Sequence, residues 1–245
     1  MAVKIEPQQI LTNFLRATVS DINSSRSGQW IYPDFPRVED LGNNQFPRIG
    51  ITKISESSKA MGIFDNTQWH TVTLQIDVVA KKDRGHSVTS TDSSLGTIAN
   101  SPRLTYDFIP DSVTNIKHNA VAFGTVTAVN SDASFTAPGS LAAGTVEWSR
   151  STGNLNFSST DVTDYSGQTI TSTWVEFLEG EEATQYLARQ VIKQIRANWR
   201  TNSNMTGLEN PVLISMIPTP FDEANSIFRH IIEYQFNQFN IAEGL

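Results

Sequence analysis

The sequence predicts an α+β fold in which helices pack on one antiparallel sheet and an all-β module is inserted into the chain. Alternating apolar and polar residues predict strands near 48–54 and 69–81. Apolar residues every three or four positions predict helices near 7–23 and 180–200. Between 83 and 176 the composition shifts to Ser, Thr, Gly and Asn. The predicted core therefore has the order helix, strand, strand, helix, strand, strand, with the module between its halves.

The first predicted helix begins at Pro7, because proline is tolerated in a first helical turn. Its apolar residues follow at spacings of three and four: Leu11, Phe14, Leu15, Val19 and Ile22. The polar segment SSRSGQW ends it. Three prolines, Pro33, Pro36 and Pro47, then hold the chain extended up to the first strand, since each fixes its own φ and disfavours helix in the residue before it.

The strand predicted at 69–81 has the clearest alternation in the sequence. Its apolar face is formed by Val72, Leu74, Ile76, Val78 and Ala80. Its polar face is formed by Thr71, Thr73, Gln75 and Asp77. Such alternation is typical of a half-buried antiparallel strand, so the polar face points away from the core.

The predicted loop before this strand, 55–68, is polar except for three apolar side chains: Met61, Ile63 and Phe64. Exposed apolar residues in a polar loop indicate a contact surface. The alternative is that Phe64 folds back to cover the sheet.

The second half of the core begins with the helix at about 180. Glu179, Glu181 and Glu182 place negative charge at its start, where it complements the helix dipole. Leu187, Val191, Ile195 and Trp199 repeat every four residues along it. Strands are predicted at 212–217 and 226–239, joined by a Pro-rich turn.

The inserted module is predicted to be a small β-sandwich or barrel, after a flexible linker over 85–101. Its strand-like segments are 121–129, 144–149, 154–158 and 168–177. We therefore predict domain boundaries that give 1–82 and 177–245 to the core and 83–176 to the module.

Composition and the absence of known motifs argue against several classes of function. The chain has 245 residues, no cysteine and a net charge of −7, so tight phosphate binding is disfavoured. We expect neither a signal peptide nor a membrane span. The four histidines, His70, His86, His118 and His230, have no metal-ligand spacing, and no nucleophile or nucleotide-binding motif occurs. We predict that the chain is not an enzyme and holds no cofactor or metal.

The order of the first helix, a YPxFP-type segment at 32–36 and four later segments resembles the tail-terminator and tail-completion proteins of long-tailed bacteriophages and tailed archaeal viruses. The later segments are the FPRI strand start at 46–49, the QIDVVAK strand at 75–81, the EEATQYLARQVIKQI helix at 181–195 and the IEYQF strand at 232–236. The resemblance covers about residues 1–82 and 177–245. The insert departs from the short connection of compact family members.

The resemblance implies a structural virion protein, a tail terminator whose ring, expected to be hexameric, caps the tail tube and joins it to the head. The implied partners are further copies of the chain, the tail tube protein and a head-tail connector or stopper protein; DNA passes through without specific binding. The implied place is the head-proximal end of the virion tail, after assembly in the host cytoplasm, with no membrane. In such a ring we expect Met61, Ile63 and Phe64 to contact the tube or a neighbouring subunit.

The polar face of 69–81 then faces the channel or a neighbour, with Asp77 repelling phosphates. Two alternatives stay open: a connector, stopper or other tail structural protein, and a glycan-binding or adhesion protein acting through the insert. In the second, Trp148, Tyr165 and Trp174 stack on sugars, although such aromatics more often pack a sandwich core.

Overall fold

The computed structural model describes residues 6–34, 42, 45–60, 67–98, 103–105 and 110–241. The chain divides into two compact units. The first unit runs up to His86 and resumes at Leu178, and the second unit is Ser87–Phe177. The predicted boundaries lay at 82/83 and 176/177.

In chain order the elements are α1 (Pro7–Thr18), β1 (Ile31–Tyr32), β2 (Arg48–Ala60), β3 (Thr67–Lys81), β4 (Gly85–Thr97), β5 (Arg103–Thr105), β6 (Ser112–His118), β7 (Val121–Ala122), β8 (Thr125–Val129), β9 (Thr145–Ser149), β10 (Asn154–Phe157), α2 (Ser159–Asp164), β11 (Thr169–Glu179), α3 (Gly180–Asn198), β12 (Glu209–Pro218) and β13 (Ile227–Ile241). Short 3-10 turns lie at Asp132–Ser134 and Ser203–Met205.

The predicted fold class is wrong, because the protein is β-rich and is not a helix-packed α+β core. The described part of the chain forms thirteen strands in three sheets and only three α-helices. Strands extend into segments that the sequence pattern assigned to loop or linker. The 85–101 linker contains β4, in which Val88, Thr89 and Thr91 supply β-branched residues that favour a strand once a partner is present.

Two further boundaries differ from the predictions. The 55–68 loop is strand at both of its ends, since β2 continues to Ala60 and β3 begins at Thr67. The first helix ends at Thr18 and not near residue 23, because Val19 is already extended and only its N–H remains bonded to Leu15.

The first unit contains a five-stranded sheet in the order β1-β2-β3-β13-β12. All pairings are antiparallel except that of β1 with β2. Val72, Leu74, Ile76 and Val78 are completely buried, as the alternation predicted. The helices α1 and α3 lie against this sheet, and α3 buries its four-residue repeat of Leu187, Val191 and Ile195.

The second unit contains two four-stranded sheets, β5-β10-β9-β8 and β4-β11-β6-β7. Its core is a single cluster of apolar side chains: Ile98, Ile116, Phe123, Val146, Trp148, Leu155, Phe157, Ile170 and Trp174. Ser158 caps α2 by accepting a hydrogen bond from the Asp161 N–H at 3.0 Å. Among the residues described, no helix is long and apolar enough to cross a membrane.

Candidate functional site

The polar face predicted on β3 lies on the side of the sheet opposite the buried apolar row. Thr71, Thr73 and Gln75 are half-buried, so they are available for contact, whereas Asp77 is only 4% exposed. The strand register extends this face across the sheet. Its polar neighbours in the rows of Thr71, Thr73 and Gln75 are Ser57, Ser55 and Thr52 on β2, Gln235 and Glu233 on β13, and Ser215 on β12. We call these side chains, with those of β3, the polar face. Val212 of β12 is an exposed apolar member of the Thr73 row.

Asp77 does not present an open negative charge on this face. Its Oδ1 accepts hydrogen bonds from Nε and Nη2 of Arg229, at 2.9 and 2.6 Å. Gln75 Nε2 donates to both carboxylate oxygens, at 3.0 and 3.1 Å. The Arg229 side chain is 41% exposed and the Asp77 side chain 6%. The guanidinium therefore neutralises the charge that was expected to repel phosphates, and the repulsion does not follow from this residue.

A cavity of about 330 Å³ opens beside this ion pair, at the end of the polar face. It is lined by Asp77, Val79, Thr219, Pro220, Asp222, Ile227 and Arg229. Both of its carboxylates have partners: Asp77 bonds to Arg229, which also lines the cavity, and Asp222 accepts from Asn225 Nδ2 at 2.8 Å. Within the described ranges no group of three His, Asp or Glu residues is placed to hold a metal ion.

The second candidate set, Met61, Ile63 and Phe64, lies outside the described residues. Their position relative to the polar face is therefore not described. Their contact with a tube or neighbour stays a prediction.

The strand β12 carries a surface that the sequence pattern did not identify. It forms one edge of the five-stranded sheet and pairs only with β13 among the strands described. Three of its side chains are more than half exposed: Val212 at 52%, Ile214 at 52% and Ile217 at 55%. The sequence contains one signal for this edge: Pro211 and Pro218 lie on either side of the three exposed residues. Proline in a sheet is confined to edges and bulges, so the two prolines indicate an edge strand.

The aromatic residues of the glycan-binding alternative are not displayed for stacking on a sugar. Trp148 and Trp174 are buried in the core cluster of the second unit, at 4% and 8% exposed. The Trp174 Nε1 donates to Glu176 Oε1 at 2.6 Å, which fixes that ring inside. Tyr165 is half-buried and stacks on His118, with ring centroids 3.7 Å apart. These rings serve the packing of the module.

A carboxylate network holds the same module together. Glu147 is buried and accepts hydrogen bonds from the backbone N–H and the Oγ1 of Thr136, at 2.8 and 2.7 Å, and from Asn156 Nδ2 at 3.1 Å. Burial by itself raises the pKa of the Glu147 carboxyl, but these hydrogen bonds outweigh it and hold the pKa below its ordinary value. The ionised carboxylate is thus a structural acceptor, since these bonds join it to Thr136 and Asn156 of the same unit.

Neither a protein-family model nor a curated protein matches this chain.

Proposed function

We propose that this chain is a structural virion protein, a tail terminator that forms a closed ring, caps the tail tube and offers the surface to which the head is joined. The observation that carries the proposal is the edge strand β12. Val212, Ile214 and Ile217 leave a long apolar edge uncovered, and such an edge is a template for pairing with another chain. An assembly protein needs such a surface.

The polar face supports the passage of DNA through the ring. Thr71, Thr73 and Gln75 carry hydroxyl and amide groups, and Asp77 is neutralised by Arg229. Tight binding to DNA requires cations that replace the counterions of several phosphates. Thr71, Thr73 and Gln75 are neutral and give no such gain, so this part of β3 is compatible with DNA passing without specific binding. This reason replaces the phosphate repulsion first expected from Asp77.

The proposed partners follow from these surfaces and from the resemblance of the sequence segments. They are further copies of the chain, the tail tube protein, and a head-tail connector or stopper protein. The proposed place is the head-proximal end of the virion tail, reached by assembly in the host cytoplasm. The apolar residues Met61, Ile63 and Phe64 are the proposed contacts with the tube or with a neighbour.

Tube assembly in the presence of this protein tests the proposal. Tail tube protein polymerised with increasing amounts of the purified chain should give shorter tubes that carry a cap at one end, measured by electron microscopy. Ile214→Lys should weaken this effect, because a charge on the exposed edge opposes subunit pairing. Val121→Lys is the matched control, since Val121 is also exposed, at 58%, but lies in the second unit. Tube lengths that do not respond to the protein would contradict the proposal.

A further inference from the structure

We propose that the sheet of the first unit continues from one copy of the chain to the next, with β12 of one copy pairing antiparallel with β2 of the following copy. This inference rests on the proposed ring and specifies how its subunits join. Joining two different edges is a head-to-tail contact, which closes into a ring when the rotation per copy divides the circle.

The first edge is β12. The run Pro211–Ile217, PVLISMI, contains no charged residue, and charges are the usual protection of an edge strand. Its Val212, Ile214 and Ile217 side chains are exposed. An added strand would cover these side chains and also bond the backbone groups on the outer side of β12.

The second edge is β2. It pairs with β3 along its length, but on its other side β1 pairs with it only at Ile49 and Gly50. Over the part of the chain that the structure describes, no strand pairs with Ile51–Ser55 on that side. Ile54, at the bulge of this stretch, is 47% exposed. Each copy thus has two open edges of different sequence on one sheet.

The open stretches of β12 and β2 are in register with each other across the sheet. Cross-strand pairings carry rows from one edge to the other: Val212, Gln235, Thr73 and Ser55 form one row, and Met216, Ile232, Ile76 and Ile51 form another. The stretch 212–216 of β12 therefore lies level with the stretch 55–51 of β2. A second copy placed beside the first can pair both stretches without moving along the strands.

Strand direction and charge favour the same pairing. Three antiparallel steps separate β2 from β12, so the two strands run in opposite directions, and a copied sheet places β12 antiparallel to the next β2. Glu209 lies in the row of Ser57, and Lys59 is two residues further along β2 on the same face. The pairing thus brings an acidic side chain of one copy towards a basic side chain of its neighbour.

Cysteine cross-linking tests this arrangement, because the natural chain has no cysteine. Ser215→Cys is combined in turn with Thr52→Cys, Ser55→Cys or Ser57→Cys, all on the polar face. Within one copy, positions 215 and 52 are three strand spacings apart, about 14 Å. A disulfide needs Cα atoms within about 7 Å, so any disulfide must join two copies. We expect at least one pair to give a ladder of covalent oligomers that ends at the closed ring.

Two controls complete the experiment. Ser215→Cys alone should stay uncross-linked, and so should Ser215→Cys with Ser58→Cys, because Ser58 is exposed but lies on the opposite face of β2. Efficient dimerisation of the single variant would overturn the inference, because it would show β12 pairing with itself. Rings seen by electron microscopy with no cross-link from any of the three pairs would overturn the inference and leave the proposed ring. A chain that stays monomeric at every concentration, and on tail tubes, would overturn both.

Discussion

Asp77→Asn tests whether the ion pair on the polar face is a structural bond of the first unit. The substitution keeps an oxygen acceptor but removes the charge from two hydrogen bonds with Arg229. A hydrogen bond to a charged group contributes about 1.5–3 kcal/mol, against about 0.5–1.5 kcal/mol for a neutral one. The guanidinium is 41% exposed, so water screens part of the difference. We expect the free energy of unfolding of the first unit to fall by about 1–2 kcal/mol.

Urea unfolding of the full chain, followed by circular dichroism, measures this loss. A double-mutant cycle with Arg229→Gln separates the coupling of the pair from the effect of either change alone. Glu223→Gln, an exposed carboxylate in the turn before β13, should leave the midpoint unchanged. A loss below about 0.5 kcal/mol for Asp77→Asn, or no coupling in the cycle, would show that the ion pair does not stabilise the first unit. Asp77→Lys would place a lysine beside Arg229, and the repulsion between the two cations would destabilise the first unit. Any effect of this variant would therefore come from lost stability and not from a change in the charge that faces DNA.

Three further predictions concern the two units. Glu147→Ala removes the acceptor shared by the half-buried Thr136 and the buried Asn156, although Asn156 Nδ2 keeps its bond to the Thr136 carbonyl, and should cost the second unit about 1–3 kcal/mol by urea unfolding. Glu147→Gln keeps an acceptor and should cost less than half as much. Because the folded pKa of Glu147 is lowered, the advantage of the wild type over Glu147→Gln should be present above about pH 4.3 and fade as the pH falls further; an unchanged difference at low pH would contradict this. Burial lowers the pKa of His230, so the unfolded first unit takes up a proton more readily than the folded one and stability should fall as the pH drops below about 6.5. His230→Gln should flatten this dependence of stability on pH. An equal slope in both proteins would show that His230 is not the group responsible. Replacement of 87–177 by a short Gly/Ser linker should leave a first unit with its helical circular dichroism signal, and aggregation of the shortened chain would show that the units fold as one.

Local patterns predicted the parts of the fold that depend on periodicity alone. The alternation from Val72 to Val78 located β3, which is observed at Thr67–Lys81, and the four-residue repeat from Leu187 located α3, observed at Gly180–Asn198. The segment that became β4 was missed because its Ser-rich sequence buries little apolar area by itself. It is a strand because it pairs with β11, more than 70 residues away in the chain. This dependence on distant partners is why the fold class was predicted wrongly.

The candidate site shows the same limit. The alternation correctly separated Thr71, Thr73 and Gln75 from the buried row, but it treated Asp77 as an open charge. The partner that neutralises it, Arg229, lies 152 positions further along the chain. The exposed edge of β12 is also a property of strand order, which no local pattern contains. In the sequence, only the two prolines of that strand, Pro211 and Pro218, indicate an edge.

The proposed function requires that several copies of this chain close into a ring. Native mass spectrometry of the purified full chain, with negative-stain electron microscopy of the same sample, measures this directly. We expect one dominant oligomer, a hexamer, seen as closed rings with a central channel. Monomers or two-fold dimers at every concentration, with no rings on tail tubes, would contradict the proposed function.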